Sequence, residues 1–93
     1  MAQWEFAING GTALREAICD GNTKQTVKCL LRCYKELYDK LSDEDKDYYQ
    51  YDIEDTIEIL TLYDERYDDE DNINYYLEEF YDICDDVRAF IKL

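Results

Sequence analysis

Apolar residues alternate at the start of this chain and then recur every three or four positions to its end. Trp4, Phe6 and Ile8 occupy every second position, which is typical of a short strand or an extended arm. The run Asn9-Gly10-Gly11 that follows predicts a turn. Because a single strand is not stable by itself, we expect residues 1–11 to form an N-terminal extended arm. That arm would lie on the helices, pair with another segment or pair with a second copy.

Two helices are predicted in residues 12–41. Thr12 can cap a short helix over Ala13–Asp20, and Gly21 can end it. Asn22 with Gln25 resembles a capping box that begins the next helix. The apolar face of that helix consists of Val27, Leu30, Leu31, Tyr34, Leu37, Tyr38 and Leu41. Much of its remaining surface is basic, with Lys24, Lys28, Arg32 and Lys35. We therefore expect this helix to be the internal neighbour of the acidic segments.

A third helix is predicted from the N-cap residue Ser42, with acidic side chains in the first turn, where the helix dipole favours them. Its apolar positions run toward Tyr63 or Arg66 through Tyr49, Ile53, Ile57 and Leu60. Two alternatives stay open. The run from Asp47 to Asp52 can break the helix into two pieces, and the β-branched residues of Thr56–Tyr63 are also compatible with a strand.

The last helix has the most regular pattern in the chain. A loop over Tyr67–Asn72 precedes it, with Asp71 or Asn72 as its N-cap. Its apolar stripe consists of Ile73, Tyr76, Leu77, Phe80, Ile83, Cys84, Val87, Phe90 and Ile91. The sequence thus predicts an all-α single domain, a small helical bundle of three long helices and one short helix with the N-terminal arm. Residues 12–41 would hold the near-neutral helices and residues 42–93 the acidic ones.

The charge of the chain is concentrated in its second part. Residues 1–40 contain six Lys or Arg and five Asp or Glu, whereas residues 41–93 contain four and nineteen, so the net charge of −14 comes from the latter. Like charges oppose compaction, and folding therefore does not account for this acidity. A strongly basic partner accounts for it better than the alternative of solvated helix faces, and the commonest basic surfaces are those that bind nucleic acid.

The acidic half also lacks the Glu–Lys pairs that exposed helix faces usually have at four-residue spacing. Its tyrosines are interleaved with the acids, and tyrosine is enriched at binding hot spots and attracts cations to its ring. Some tyrosines have the alternative interpretation of core-edge residues: Tyr34, Tyr38, Tyr49, Tyr63 and Tyr76. The predicted partner-binding carboxylates are Glu54, Glu58, Asp64, Glu65, Asp68, Asp69, Glu70, Asp71, Glu78, Glu79, Asp82, Asp85 and Asp86. The predicted anchors are Tyr51, Tyr67, Tyr75 and Tyr81.

Catalytic and metal chemistry find little support in the sequence. The chain has no His, which is the most usual general base and a common metal ligand. The spacing of an EF-hand calcium loop occurs at Asp43, Asp45, Asp47 and Glu54, but Tyr48 stands where that loop needs glycine. The four Cys contain no CxxC pair for zinc, and we interpret them as free thiols, three of them (Cys29, Cys33 and Cys84) as small core residues. We predict no enzyme activity, no metal and no cofactor.

No signal peptide and no apolar run of about 20 residues is visible, which predicts a cytoplasmic protein without a membrane span. In its size, its acidity from Asp43 to Asp86 and its interleaved Tyr and Asp, the chain resembles small phage-encoded inhibitors, namely anti-CRISPR proteins and other DNA mimics. The resemblance implies a protein of the bacterial host cytoplasm that occupies the basic nucleic-acid cleft of a CRISPR-Cas effector or similar nuclease. Such a protein would bind its target rather than nucleic acid, as a monomer or homodimer.

Two other functions remain open from the sequence. An immunity protein or antitoxin that shields a basic nuclease toxin would use the same electrostatics. A helical adaptor or oligomerisation module would instead use the apolar stripe of the last helix, completed by a partner helix or by a second copy.

Overall fold

Four helices and two short strands form the described part of the chain. The computed structural model describes residues 6–66 and 71–93, without the side chains of residues 64–66, 71 and 72. The elements in chain order are β1 (Phe6–Ile8), α1 (Gly11–Cys19), α2 (Thr23–Lys40), α3 (Asp43–Arg66), α4 (Asp71–Asp86) and β2 (Ala89–Ile91). The predicted small helical bundle is therefore confirmed, and it carries a two-stranded sheet in addition.

Helix α2 lies at the centre and packs against α1, α3, α4 and β1. It begins where the sequence predicts, because the Asn22 side chain accepts a hydrogen bond from the backbone N–H of Gln25 at 3.1 Å. Its apolar face is buried, with Val27, Leu30, Tyr34 and Leu37 inaccessible to solvent. The largest of these, Tyr34, stacks at an angle on Phe80 of α4 with ring centroids 5.2 Å apart.

Helix α1 begins earlier than the predicted cap at Thr12. Gly10 precedes its first residue with φ of 89°, a left-handed conformation that glycine adopts without steric cost. At Gly11 a side chain would overlap Ile91, and it would lie 2.8 Å from the carbonyl oxygen of Lys92. The two glycines therefore bring α1 against the C-terminal strand. Gly11 is the one that lets the start of α1 approach Ile91 and Lys92 closely.

Helix α3 is continuous from Asp43 to Arg66, so neither the break at Asp47–Asp52 nor the strand at Thr56–Tyr63 is present. The Ser42 hydroxyl accepts from the Asp45 N–H at 3.2 Å and caps its first turn, as predicted. The single Thr56 hydroxyl proton is shared between the Asp52 carbonyl, at 2.8 Å, and Glu79, at 2.9 Å, which satisfies this β-branched polar residue.

The N-terminal segment is a strand rather than a free arm. Strand β1 pairs in parallel with β2, with Ala7 opposite Phe90, and the Lys92 N–H donates to the Ile8 carbonyl at 2.9 Å. Trp4 and the rest of the first five residues lie outside the described residues. Of the three arrangements expected for this segment, pairing with another segment of the chain is the one observed for Phe6–Ile8.

The prediction that the last helix extends through Phe90 and Ile91 was wrong. Helix α4 ends at Asp86, and Arg88 adopts a left-handed φ of 61° that turns the chain into β2. Phe90 is consequently 38% exposed. The rest of the stripe packs as expected, since Ile73, Leu77, Phe80, Ile83 and Cys84 are buried among the chain's own elements.

Within residues 6–66 and 71–93, no helix combines the length and apolar character needed to cross a lipid bilayer.

Candidate acidic binding surface

The acidic helices α3 and α4 run antiparallel, and side-chain contacts between described residues join them. The Tyr49 hydroxyl donates to the Asp86 carboxylate, and the Thr56 hydroxyl donates to Glu79 at 2.9 Å. Farther along, the rings of Tyr63 and Tyr76 meet with centroids 6.4 Å apart. Early residues of α3 thus contact late residues of α4. These contacts hold the two helices together, and the remaining acidic side chains project from the joined pair.

Glu79 lies at the junction of α2, α3 and α4, half-buried rather than on the open surface. Besides Thr56, the buried Tyr34 hydroxyl reaches it at 3.3 Å, and that hydroxyl also lies 3.0 Å from the Tyr76 carbonyl. Burial, and then the negative charge of Glu79, raises the pKa of Tyr34 well above its usual range. Glu79 therefore connects three helices, and its contact with a partner stays a prediction.

Asp86 both contacts α3 and remains accessible to solvent. It is exposed, yet it accepts the hydrogen bond of Tyr49, which is only 8% exposed. The pKa of Tyr49 is raised, chiefly by burial and then by the hydrogen bond to Asp86. One part of this carboxylate is consequently engaged with α3, and the other part faces solvent.

Besides Asp86, five of the predicted carboxylates are exposed: Glu54, Glu58, Glu78, Asp82 and Asp85. On α3 the first two are four residues apart, and on α4 the other three follow at steps of four and three. This spacing places each set in one row along its helix. The open recess on α4 is bordered by members of its row and by Tyr75.

Several predicted residues lie outside the part of the chain whose side chains the structure describes. Tyr67, Asp68, Asp69 and Glu70 lie outside the described residues. Asp64 and Glu65 belong to the last part of α3 and Asp71 begins α4, but their side chains are outside the description.

The tyrosines divide into two groups. The five interpreted alternatively as core-edge residues are all buried or half-buried, which confirms that interpretation for Tyr34, Tyr38, Tyr49, Tyr63 and Tyr76. Of the predicted anchors, Tyr51 is 76% exposed, Tyr75 is 62% exposed and Tyr81 is 44% exposed. Tyr81 is the most enclosed of these anchors, and its ring centroid lies 5.7 Å from that of Phe80. Its burial raises the pKa of its hydroxyl.

Residues in the first half of α3 join this surface although the sequence did not single them out. Tyr48 is as exposed as Tyr51, at 76%, and Asp52 and Asp55 are exposed beside them. In a continuous helix, positions three and four apart share a face, so this grouping is readable from the sequence once α3 is unbroken.

Helix α2 is the neighbour of α3, as predicted, but the contact is apolar. Leu30, Leu37 and Ile53 are inaccessible to solvent in the core that these helices share, whereas Lys24, Arg32 and Lys35 lie on the exposed side of α2. Other cations are engaged locally: Lys40 approaches Glu36 at 3.5 Å and donates to the Ala7 carbonyl at 3.0 Å. Lys46 of α3 lies 5.7 Å from the centre of the Tyr38 ring.

The candidate metal residues are arranged for other roles. The residues with EF-hand spacing lie within the continuous helix α3 rather than in a loop. Cys29, Cys33 and Cys84 are buried as small core residues, and burial raises the pKa of Cys33 and of Cys84 to about 12. In the part of the chain that the structure describes, no three His, Cys, Asp or Glu side chains are grouped so that they could hold a metal ion.

Comparison of the chain with family models, with curated proteins and with solved structures gives no match.

Proposed function

We propose that this protein is an inhibitor that occupies the basic nucleic-acid-binding cleft of a CRISPR-Cas effector or a similar host-defence nuclease. The observation that supports this proposal is the pair of exposed acidic rows on α3 and α4, held by the helix–helix contacts of Tyr49 and Thr56. Rows fixed on helices present charge at set intervals, which a disordered acidic tail does not do.

The spacing of the rows suits a site for a phosphate backbone. Four residues of helix rise about 6 Å, so each row presents roughly one carboxylate per 6 Å. One strand of duplex DNA carries a phosphate about every 3.4 Å. A cleft whose Lys and Arg side chains are placed for phosphates would therefore meet a carboxylate at about every second phosphate position along a row.

Inhibition would follow from competition for the same cations. Carboxylates that replace phosphates in the cleft neutralise its Lys and Arg side chains, and the helices behind them exclude nucleic acid sterically. Contacts between exposed charges weaken as salt screens them, so both binding and inhibition would decrease with ionic strength. Because the acidic rows would repel phosphate, the partner is the protein target rather than free nucleic acid.

The adaptor alternative loses the feature on which it depended. The apolar stripe of α4 is buried against the chain's own helices, with Phe80 inaccessible and Leu77 only 8% exposed. No second copy or partner helix is needed to cover it. The immunity alternative uses the same acidic surface and becomes an outcome of the experiment.

The test is an order-of-addition assay with purified, guide-loaded CRISPR effectors and a labelled target duplex. If the proposal is correct, the protein blocks duplex binding when added first, displaces a bound duplex poorly, and loses both effects at high salt. Equal inhibition in either order would contradict competition. Failure with every effector, together with protection against a basic nuclease toxin, would replace the proposal with the immunity function.

Isosteric variants distinguish the acidic rows from net charge. Three row residues are neutralised in Glu54→Gln/Glu58→Gln/Glu78→Gln. The control Glu16→Gln/Asp20→Asn/Asp39→Asn removes three exposed carboxylates of the near-neutral part. Each variant changes the net charge from −14 by three units, to −11. The row variant should inhibit at least tenfold more weakly than the control, and equal inhibition by the two would refute the assigned surface.

A further inference from the structure

The first half of α3 presents two exposed aromatic rings side by side on its surface. Tyr48 and Tyr51 are each 76% exposed and are three residues apart in a continuous helix, so their rings share one face. A ring exposed to this extent contributes little apolar burial to folding. Two of them together form a surface that requires another explanation.

Carboxylates occupy the helical positions around both rings. Three and four residues from Tyr51 stand Asp47, Glu54 and Asp55, all of them exposed. The corresponding neighbours of Tyr48 include Glu44 and Asp52, also exposed, and the half-exposed Asp45. We call the two tyrosines with these six carboxylates the Tyr48–Tyr51 patch.

One ring of the patch, that of Tyr48, packs against a buried neighbour. The Tyr48 ring meets the Tyr49 ring edge to face, with centroids 4.7 Å apart. Tyr49 in turn is buried and donates its hydroxyl to Asp86 of α4. A ring held in this way loses little conformational freedom on binding, and such preorganisation increases affinity.

The cation nearest in sequence is directed elsewhere. Lys46 is the one cation between Asp43 and Glu65 in the sequence, and it lies over the Tyr38 ring on the α2 side, 5.7 Å from its centre. The six carboxylates and two rings are therefore not offset by a cation of their own helix turns. A cation from a partner would complete them.

We propose that the Tyr48–Tyr51 patch binds arginine side chains of the partner in preference to lysine side chains. This inference rests on the proposed function and names the residue type that its surface takes. A guanidinium is planar and weakly hydrated, so it stacks on an aromatic face while its N–H groups reach carboxylates on either side. An ammonium is a compact, strongly hydrated charge without a face to stack.

The test compares fluorescein-labelled nonaarginine and nonalysine by fluorescence anisotropy at 150 mM NaCl, with the whole protein. The two peptides carry equal charge, so the difference reports the chemistry of the cation. We expect nonaarginine to bind about tenfold more tightly, as two exposed cation–π contacts would produce. In Tyr48→Leu/Tyr51→Leu the preference should fall to about twofold or less, with nonalysine affinity nearly unchanged.

Two further variants serve as controls, and circular dichroism checks the fold of each. Tyr48→Phe/Tyr51→Phe keeps both rings and should keep the preference. Leu62→Ala removes an exposed apolar side chain of α3, 50% exposed, and should also keep it.

The outcomes separate this inference from the proposed function. An arginine preference that survives loss of both α3 rings would overturn the inference. Equal, salt-sensitive binding of the two peptides by the unaltered protein would also overturn it while leaving the acidic-surface proposal in place. Absence of binding to either peptide would contradict both.

Discussion

The neighbouring residues Glu78 and Glu79 should respond differently to the same substitution. Both are glutamates near the middle of α4, but Glu78 is exposed whereas Glu79 accepts hydrogen bonds from the hydroxyls of Thr56 and Tyr34. Replacement of each by Ala changes helix propensity and net charge equally. The difference in stability between the two variants therefore isolates the contacts of Glu79.

The magnitude follows from which acceptors remain. A hydrogen bond to a charged group contributes about 1.5–3 kcal/mol when its loss leaves a buried donor unsatisfied. In Glu79→Ala the Thr56 hydroxyl keeps the Asp52 carbonyl at 2.8 Å and the Tyr34 hydroxyl keeps the Tyr76 carbonyl at 3.0 Å. We therefore expect a total loss near 1–2 kcal/mol, which lowers Tm by roughly 5–15 °C in a domain of this size.

The measurement is urea and thermal unfolding followed by circular dichroism at 222 nm. Glu78→Ala should lie within about 0.5 kcal/mol of the unaltered protein, as is usual for exposed positions. A double variant with Thr56→Val should cost less than the sum of the single changes, because the two residues share one hydrogen bond. Equal unfolding midpoints for Glu78→Ala and Glu79→Ala would refute the assignment of Glu79 to the helix junction.

Three other predictions concern the fold and its titrating groups. Gly11→Ala should lower the free energy of unfolding in urea by about 1–3 kcal/mol, because its Cβ would overlap Ile91. In Gly21→Ala the new Cβ meets open space, so only the left-handed φ of 67° opposes it, and the loss should be about 1–2 kcal/mol. Ellman's reagent at pH 8 should modify the exposed Cys19 quickly. It should modify the buried Cys33 and Cys84, whose thiol pKa is about 12, only when the protein unfolds. Fast reaction of more than one thiol in the folded protein would contradict this. The raised pKa values of Tyr34 and Tyr49 favour the protonated folded state, so their contribution is complete below pH 10 and lost as the pH rises above it. The urea midpoint should consequently begin to fall near pH 10 and fall further above it, and fall less in Tyr34→Phe.

Local signals in the sequence predict the starts of α2 and α3 well. Asn22 and Ser42 each bond the backbone N–H three residues later, as their side chains predict. The end of α4 has no comparable signal. The chain turns at Arg88 in a left-handed conformation that glycine usually occupies, and the apolar residues Phe90 and Ile91 continue the helical spacing by coincidence. A strand at these two residues can be identified only from its pairing with strand β1.

The candidate surface is predictable to the extent that helical periodicity determines exposure. The spacing of Glu54 with Glu58, and of Glu78 with Asp82, places these residues in rows by helix geometry alone. The same reasoning fails for Glu79, because its position depends on the distance between three helices rather than on periodicity within one. A half-buried carboxylate at such a junction is recognisable only when Tyr34 and Thr56 are seen to converge on it.

The composition of α3 also favours a partner. Burial against α2 and α4 accounts for Tyr49, Ile53, Thr56 and Leu60, which lie along one face. It does not account for Tyr48 and Tyr51, which are adjacent on another face and remain 76% exposed. Single exposed apolar residues are ordinary on protein surfaces, but a pair of exposed aromatic rings among six carboxylates combines two features that folding alone does not require. Both features match one ligand chemistry, a planar cation presented by a basic protein.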